Sequence, residues 1–165
     1  MEPLGRLFDI AAGIVPLDLQ TARTGDYVSL KNAEGCLIVI FKAAGTAGDD
    51  QTFTLNKATA VDGTGATTAA VIDTIYKKQG AALTAVTAWT KATQTAAATV
   101  TDATSAELQT IWAIDVRADA LGAYDCISLD SDGAGSNAQL GCVLYLLYGL
   151  RNAATPASLP DPLTD

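Results

Sequence analysis

Histidine is absent from all 165 residues of this chain. Because histidine is the usual base of serine and cysteine nucleophiles and a common zinc ligand, its absence excludes those catalytic and metal arrangements. A serine–lysine pair would remain, but the lysines are predicted at strand ends and turns, where the charge is normally solvated. They are Lys31, Lys42, Lys57, Lys77, Lys78 and Lys91. We therefore expect no enzyme, no catalytic residue and no cofactor.

Cysteine is scarce, and its three copies are an odd number. Cys36, Cys126 and Cys142 each lie inside an apolar run, which favours buried, reduced thiols over a disulfide framework. No Cys-x-x-Cys spacing occurs, so the sequence predicts neither a four-thiolate metal site nor a redox motif.

Charged residues make up only 17% of the chain and aromatic residues 6%, while alanine supplies much of the 49% hydrophobic fraction. A surface so poor in charge is typical of a protein covered by neighbouring subunits.

The net charge is −8, and the ten basic residues are scattered, so we expect no nucleic-acid partner. No apolar run reaches the ~20 residues of a membrane span and no leader pattern opens the chain, so synthesis in the cytoplasm without membrane insertion is expected.

Short β-branched and apolar runs alternate with Gly, Asp and Asn turns, which predicts an all-β, single-domain antiparallel sandwich or barrel. Residues 36–41 are a continuous apolar run and predict a central strand buried on both faces. Residues 140–150 predict the longest strand. Asp62-Gly63 is typical of a hairpin turn. Trp112, between Ile111 and Ala113, is predicted in the core.

Residues 81–106 are rich in alanine, threonine and valine. Alanine favours helix, but the density of β-branched threonine favours strand, which we predict. Thr104 and Glu107 match a capping box, indicating one helical turn at residues 105–109. Trp89 lies in this region with few large apolar residues near it in the sequence, so an interface role and a core role are equally supported.

Acidic loop residues form the one cation-binding candidate. Asp130 and Asp132 precede Gly133 as at the start of a calcium loop, but the later ligands are missing. A plain turn is the favoured interpretation, and a weak cation site is the alternative. Asp49 and Asp50 are predicted at a solvated loop tip.

The two ends of the chain are predicted to be arms on this domain of residues 1–165. Residues 1–8 hold Leu4, Leu7 and Phe8 beside Pro3 and Gly5, and predict an apolar N-terminal arm. Residues 152–165 contain Pro156, Pro160 and Pro162, which predict an extended C-terminal tail. Such segments are suited to contacting neighbouring subunits.

Three features together resemble capsid decoration, or cement, proteins of tailed bacteriophages. They are the Ala/Gly/Thr-rich β chain without histidine, the closing segments GAYDCISL (residues 122–129) and VLYLLY (residues 143–148), and Arg151 followed by a proline-containing tail. The resemblance implies a jelly-roll-like sandwich, no cofactor, and symmetric oligomers on the capsid surface of the virion. Its partners would be the major capsid protein and further copies of the chain, with a trimer favoured. Tail-tube and head–tail joining proteins share this composition and remain alternatives.

The predicted interface residues come from the two ends and the middle of the chain. They are Leu4, Leu7, Phe8, Trp89, Arg151, Pro156 and Pro160. A different class of function, a carbohydrate- or cell-surface-binding sandwich, would instead use Trp89, Tyr76 and the loop aspartates.

Overall fold

A computed structural model of the chain describes residues 3–85, 87–101, 103, 106–133 and 135–152. These residues form eleven β-strands and two 3₁₀ turns, Leu83–Ala85 and Ala118–Leu121. The strands make two antiparallel sheets whose facing side chains build one core, which confirms the predicted all-β sandwich.

Six strands form the larger sheet. In spatial order they are β1 (Phe8–Asp18), β11 (Leu140–Tyr148), β3 (Gly35–Lys42), β9 (Gln109–Arg117), β6 (Ile72–Gly80) and β7 (Thr90–Ala97). The smaller sheet contains β2 (Val28–Ser29), β10 (Cys126–Ser131), β4 (Thr52–Ala58) and β5 (Thr67–Thr68), with β8 (Thr99–Thr101) also paired to β4.

The run at residues 36–41 is the centre of β3, between β11 and β9, so the predicted central strand is confirmed. The prediction that this strand is buried on both faces is wrong. Cys36, Ile38 and Ile40 are buried, whereas Phe41 is 44% exposed, because the smaller sheet covers only one side of β3.

The closing strand is shorter than predicted. β11 ends at Tyr148, where Gly149 takes a positive φ of 62° and turns the chain. β1 is the longest strand, with eleven residues, and it keeps its pairing to β11 through two register shifts around Ile14.

The alanine- and threonine-rich middle of the chain contains β7 and β8, so the preference for strand over helix is confirmed there. Gln94 strengthens this region, because its side-chain amide donates to the carbonyls of Ile72 and Thr99 at 3.0 and 2.9 Å. The predicted turn at 105–109 is only partly testable: Thr104 and Ser105 lie outside the described residues, and Gln109 already begins β9.

Large side chains from both sheets meet in the core. Trp112 of β9 is buried as predicted and contacts Phe53 of β4 edge to face, with ring centroids 6.0 Å apart. Tyr145 of β11 crosses between the sheets, and its hydroxyl accepts a hydrogen bond from the backbone N–H of Leu129 in β10 at 2.8 Å. This bond is a specific polar link inside an apolar interior.

The N-terminal segment differs from the expected extended arm. Residues 3–7 close a turn in which the Leu7 amide donates to the Pro3 carbonyl and the Gly5 amide to the Phe8 carbonyl, both at 2.8 Å. Phe8 then begins β1. Pro3 and Gly5 favour a turn because proline fixes φ and glycine accepts positive φ, here 80°. The tail prediction at residues 153–165 lies outside the described residues.

Candidate interaction surface

The two sheets present opposite kinds of outward face. On the smaller sheet, outward positions carry polar side chains that bond to one another. The Thr54 hydroxyl donates to Asp132, and the Asn56 amide donates to Asp130, both at 2.8 Å. Polar outward positions are what a sandwich in water normally has.

The outward face of the larger sheet is apolar across five neighbouring strands. The register places Ile10, Leu146 and Leu37 in one row, and Ala12, Leu144, Val39 and Ala113 in the next. A third row contains Cys142, Phe41 and Ile111, and Tyr76 continues the second row on β6. We call these eleven residues the apolar face. Phe41 is 44% exposed, Leu144 38% and Ile10 37%.

Two charged residues continue rows of the apolar face and contact aromatic side chains of the chain: Asp115 follows Leu37 in the first row, and Lys78 follows Ile111 in the third. The Tyr148 hydroxyl donates to Asp115 at 2.7 Å. The pKa of Tyr148 is raised to about 12, chiefly because the hydroxyl is partly buried and secondly because it bonds to this carboxylate. Lys78 lies over the Trp89 ring at 5.9 Å. The rows between these margins therefore present hydrocarbon to water with no charge among them.

The predicted interface residues fall at different places. Phe8 pairs with Tyr148 and borders the apolar face, whereas Leu4 and Leu7 belong to the adjoining turn, with Leu7 exposed. Arg151 is exposed, and its backbone amide donates to the Asn32 carbonyl at 2.9 Å. Pro156 and Pro160 lie outside the described residues.

Trp89 is 50% exposed, so it is not a core residue. It precedes β7, and Tyr76, 42% exposed, lies on the neighbouring β6. The two aromatic side chains flank the same edge of the larger sheet, next to Lys78. The sequence identified Trp89 but missed the apolar face.

The acidic residues of the candidate cation site bond within the protein. The predicted turn is wrong at Asp130, which lies in β10 and pairs with Thr54 of β4; its carboxylate accepts from the Gly25 amide at 2.8 Å and from Asn56. Within the described residues, no group of three or more His, Cys, Asp or Glu side chains could hold a metal ion. The prediction of a merely solvated tip is wrong for Asp49, which accepts from the Asn137 backbone at 3.1 Å and side chain at 2.7 Å.

Lys42 corrects the expectation of solvated lysines. It is 2% exposed, and its ammonium donates to the carbonyls of Ala106 and Leu108 at 3.0 and 3.2 Å. Lys42 is the last residue of β3, and a loop more than 60 residues further along the sequence covers it. Such a cover is invisible to local sequence pattern.

The three thiols are free, as predicted, and differ in their surroundings. Cys36 and Cys126 are buried, and burial raises the pKa of Cys126 to about 11. Cys142 is only half-buried, because it lies on the apolar face rather than in the core. It is therefore a natural reporter of whatever covers that face.

No helix within the described ranges is long and apolar enough to cross a membrane. Comparison of the chain with protein-family models, with curated proteins and with solved structures finds no match.

Proposed function

We propose that the protein is a non-enzymatic virion structural protein that decorates and stabilises the capsid of a tailed phage through protein–protein contacts. The observation that supports a function in protein–protein contacts is the apolar face. Exposed apolar surface of this kind marks an interaction site, because a soluble protein gains nothing by leaving it in water.

The size of the apolar face supports a contact with a macromolecule. Each outward position of a sheet occupies about 4.8 Å across the strands and ~6.8 Å along them, so the eleven positions of the apolar face cover roughly 360 Å² in the plane of the sheet. This lies within the range of the largest apolar patches on single proteins, about 300–600 Å², which are often functional. A flat surface of that extent suits another protein surface better than a small ligand, which needs a concave site.

The order of the strands supports the jelly-roll-like form of the sandwich. The chain crosses from β1 in the larger sheet to β2 in the smaller, back to β3, and again to β4. It crosses in the same way from β9 to β10 to β11. Repeated crossing of this kind fits two Greek keys folded together, an architecture common in viral capsid domains.

Sedimentation with capsids tests the capsid proposal. Purified protein is mixed with capsids that lack a decoration protein, and capsids already saturated with the protein serve as the control. We expect saturable co-sedimentation with the bare capsids, a higher melting temperature of those capsids, and no uptake by the saturated ones. Failure to sediment with the bare capsids would contradict the proposal, and location in purified tails would favour the tail-tube or joining alternative.

A carbohydrate-binding role is the second candidate, because Trp89 and Tyr76 are both exposed at one sheet edge. Aromatic rings at a surface stack on sugar rings. Glycan binding lost in Trp89→Ala and kept in Val61→Ala, an exposed apolar residue in the β4–β5 loop, would support it. If no glycan binds and capsids do, the decoration role is the correct one.

A further inference from the structure

We propose that the apolar face is covered by the same face of a second copy of this chain, so that two larger sheets pack face to face about a two-fold axis. This inference rests on the proposed role in protein–protein contacts, but it concerns contact between copies and is measurable without capsids. It names the surface and the partner that sequence composition alone left open.

The apolar face supplies the centre of an interface between two copies rather than the whole of it. A standard interface buries about 800 Å² on each partner, with an apolar core and a polar rim. The face, roughly 360 Å² in the plane of the sheet, supplies such a core, and the residues around it would supply the remaining area. Lys78 and Asp115 lie at its margin and supply polar rim positions.

The shape of the face is its own complement. Stacked sheets of a sandwich lie about 10 Å apart with their strands turned by about −30°, and this angle arises from the twist that both sheets share. Two copies of one sheet have the same twist by definition. A two-fold axis then brings each row of the face opposite an equivalent row, which is the self-complementary contact of a homodimer.

Electrostatics also permits close approach at this surface. Each copy carries a net charge of −8, so two copies repel one another over most of their surfaces. The eleven residues of the apolar face include no acidic side chain, and Asp115, which follows Leu37 at the end of the first row, is bonded to the Tyr148 hydroxyl. The apolar face is therefore the place where two copies meet with least repulsion.

Pairing through a sheet edge is less favourable. At the β1 edge, register shifts on both sides of Ile14 and the ring of Pro16 interrupt a further hydrogen-bond ladder. At the opposite edge, β7 carries the exposed Lys91. Lysine on an edge strand protects it from joining a second strand. Association through either edge of the larger sheet is therefore less favourable than association through its open face.

The state of association is read from mass by light scattering on the full chain at tens of micromolar. We expect 33.8 kDa, twice the 16.9 kDa of one chain. Leu144→Glu places one unpaired charge per copy in the buried centre and should weaken association, raising Kd by about 100-fold or more and giving 16.9 kDa. Ile10→Glu, on the exposed edge strand where folding is least at risk, should act in the same direction.

Val61→Glu is the matched control, since Val61 is an exposed apolar residue of the β4–β5 loop, away from the larger sheet. It should keep the mass of the unmodified protein. A wild-type mass of one chain, or of three, would overturn face-to-face pairing, as would folded Leu144→Glu and Ile10→Glu variants that both remain dimeric. The trimer favoured by composition would then use another surface. Capsid binding by a monomer or trimer would leave the proposed function standing while this inference failed.

Discussion

Removing one oxygen atom from Tyr145 should cost far more stability than the size of the change suggests. The Tyr145 ring is fully buried, and its hydroxyl accepts the Leu129 amide proton at 2.8 Å across the sandwich. Tyr145→Phe keeps the ring and its packing but leaves that amide buried without an acceptor. An orphaned buried donor costs about 1–3 kcal/mol, which is a substantial part of the stability of a typical domain.

The magnitude converts to a measurable melting shift. For a domain of this size, 1 kcal/mol corresponds to about 2–4 °C, so the variant should melt about 2–12 °C lower. Circular dichroism at equal chain concentration measures it, since association also shifts melting. Tyr27→Phe is the control, because Tyr27 is only half-buried, directly precedes β2 of the smaller sheet outside the apolar face, and should change stability by less than about 0.5 kcal/mol. Equal melting of both variants would refute the cross-sheet bond.

Three further perturbations test other parts of the structure. Gly13→Ala should lower the free energy of unfolding by about 1–3 kcal/mol in urea, because a Cβ there would lie 2.4 Å from Cζ of Tyr145; unchanged stability would show that this contact is not tight. Adding EDTA should leave the melting temperature unchanged, since Asp130 bonds to protein donors, and a fall of several degrees would reveal a bound cation. Folding raises the pKa of Tyr148 from about 10 to about 12. The contribution of its protonated hydroxyl to stability is therefore complete below pH 10 and is lost as the pH rises toward 12. Tyr148→Phe should therefore flatten the decline of stability over that window, and an unaltered slope would show that another group titrates.

Local pattern predicted the strands well where burial follows from neighbours in the sequence. The apolar run of β3 and the threonine-rich β7 were both identified, because β-branched residues fit a pleated sheet. Trp112 was placed in the core because it lies inside such a run. The sequence pattern extends the closing strand to residue 150, but the strand ends at Tyr148 because Gly149 turns the chain. Local pattern does not distinguish a glycine that turns the chain from one that continues a strand.

The functional surface could not be read in the same way. A continuous apolar run such as residues 36–41 has the same sequence whether its second face is covered by the protein itself or left open for a partner. Only the pairing of β3 with β11 and β9 shows that Phe41, Val39 and Leu144 share an open face. The burial of Lys42 is likewise set by residues more than 60 positions away.

The most direct test of the account uses Cys142 in the unmodified protein, because this thiol lies on the apolar face. Its rate of labelling by a maleimide is followed by peptide mass spectrometry across a range of protein concentrations, with the buried Cys36 as the slow internal reference. If the face is covered by a second copy, labelling of Cys142 slows as the concentration rises, and Leu144→Glu removes that slowing. A Cys142 rate that is the same at every concentration, in protein shown to be folded, would contradict the account.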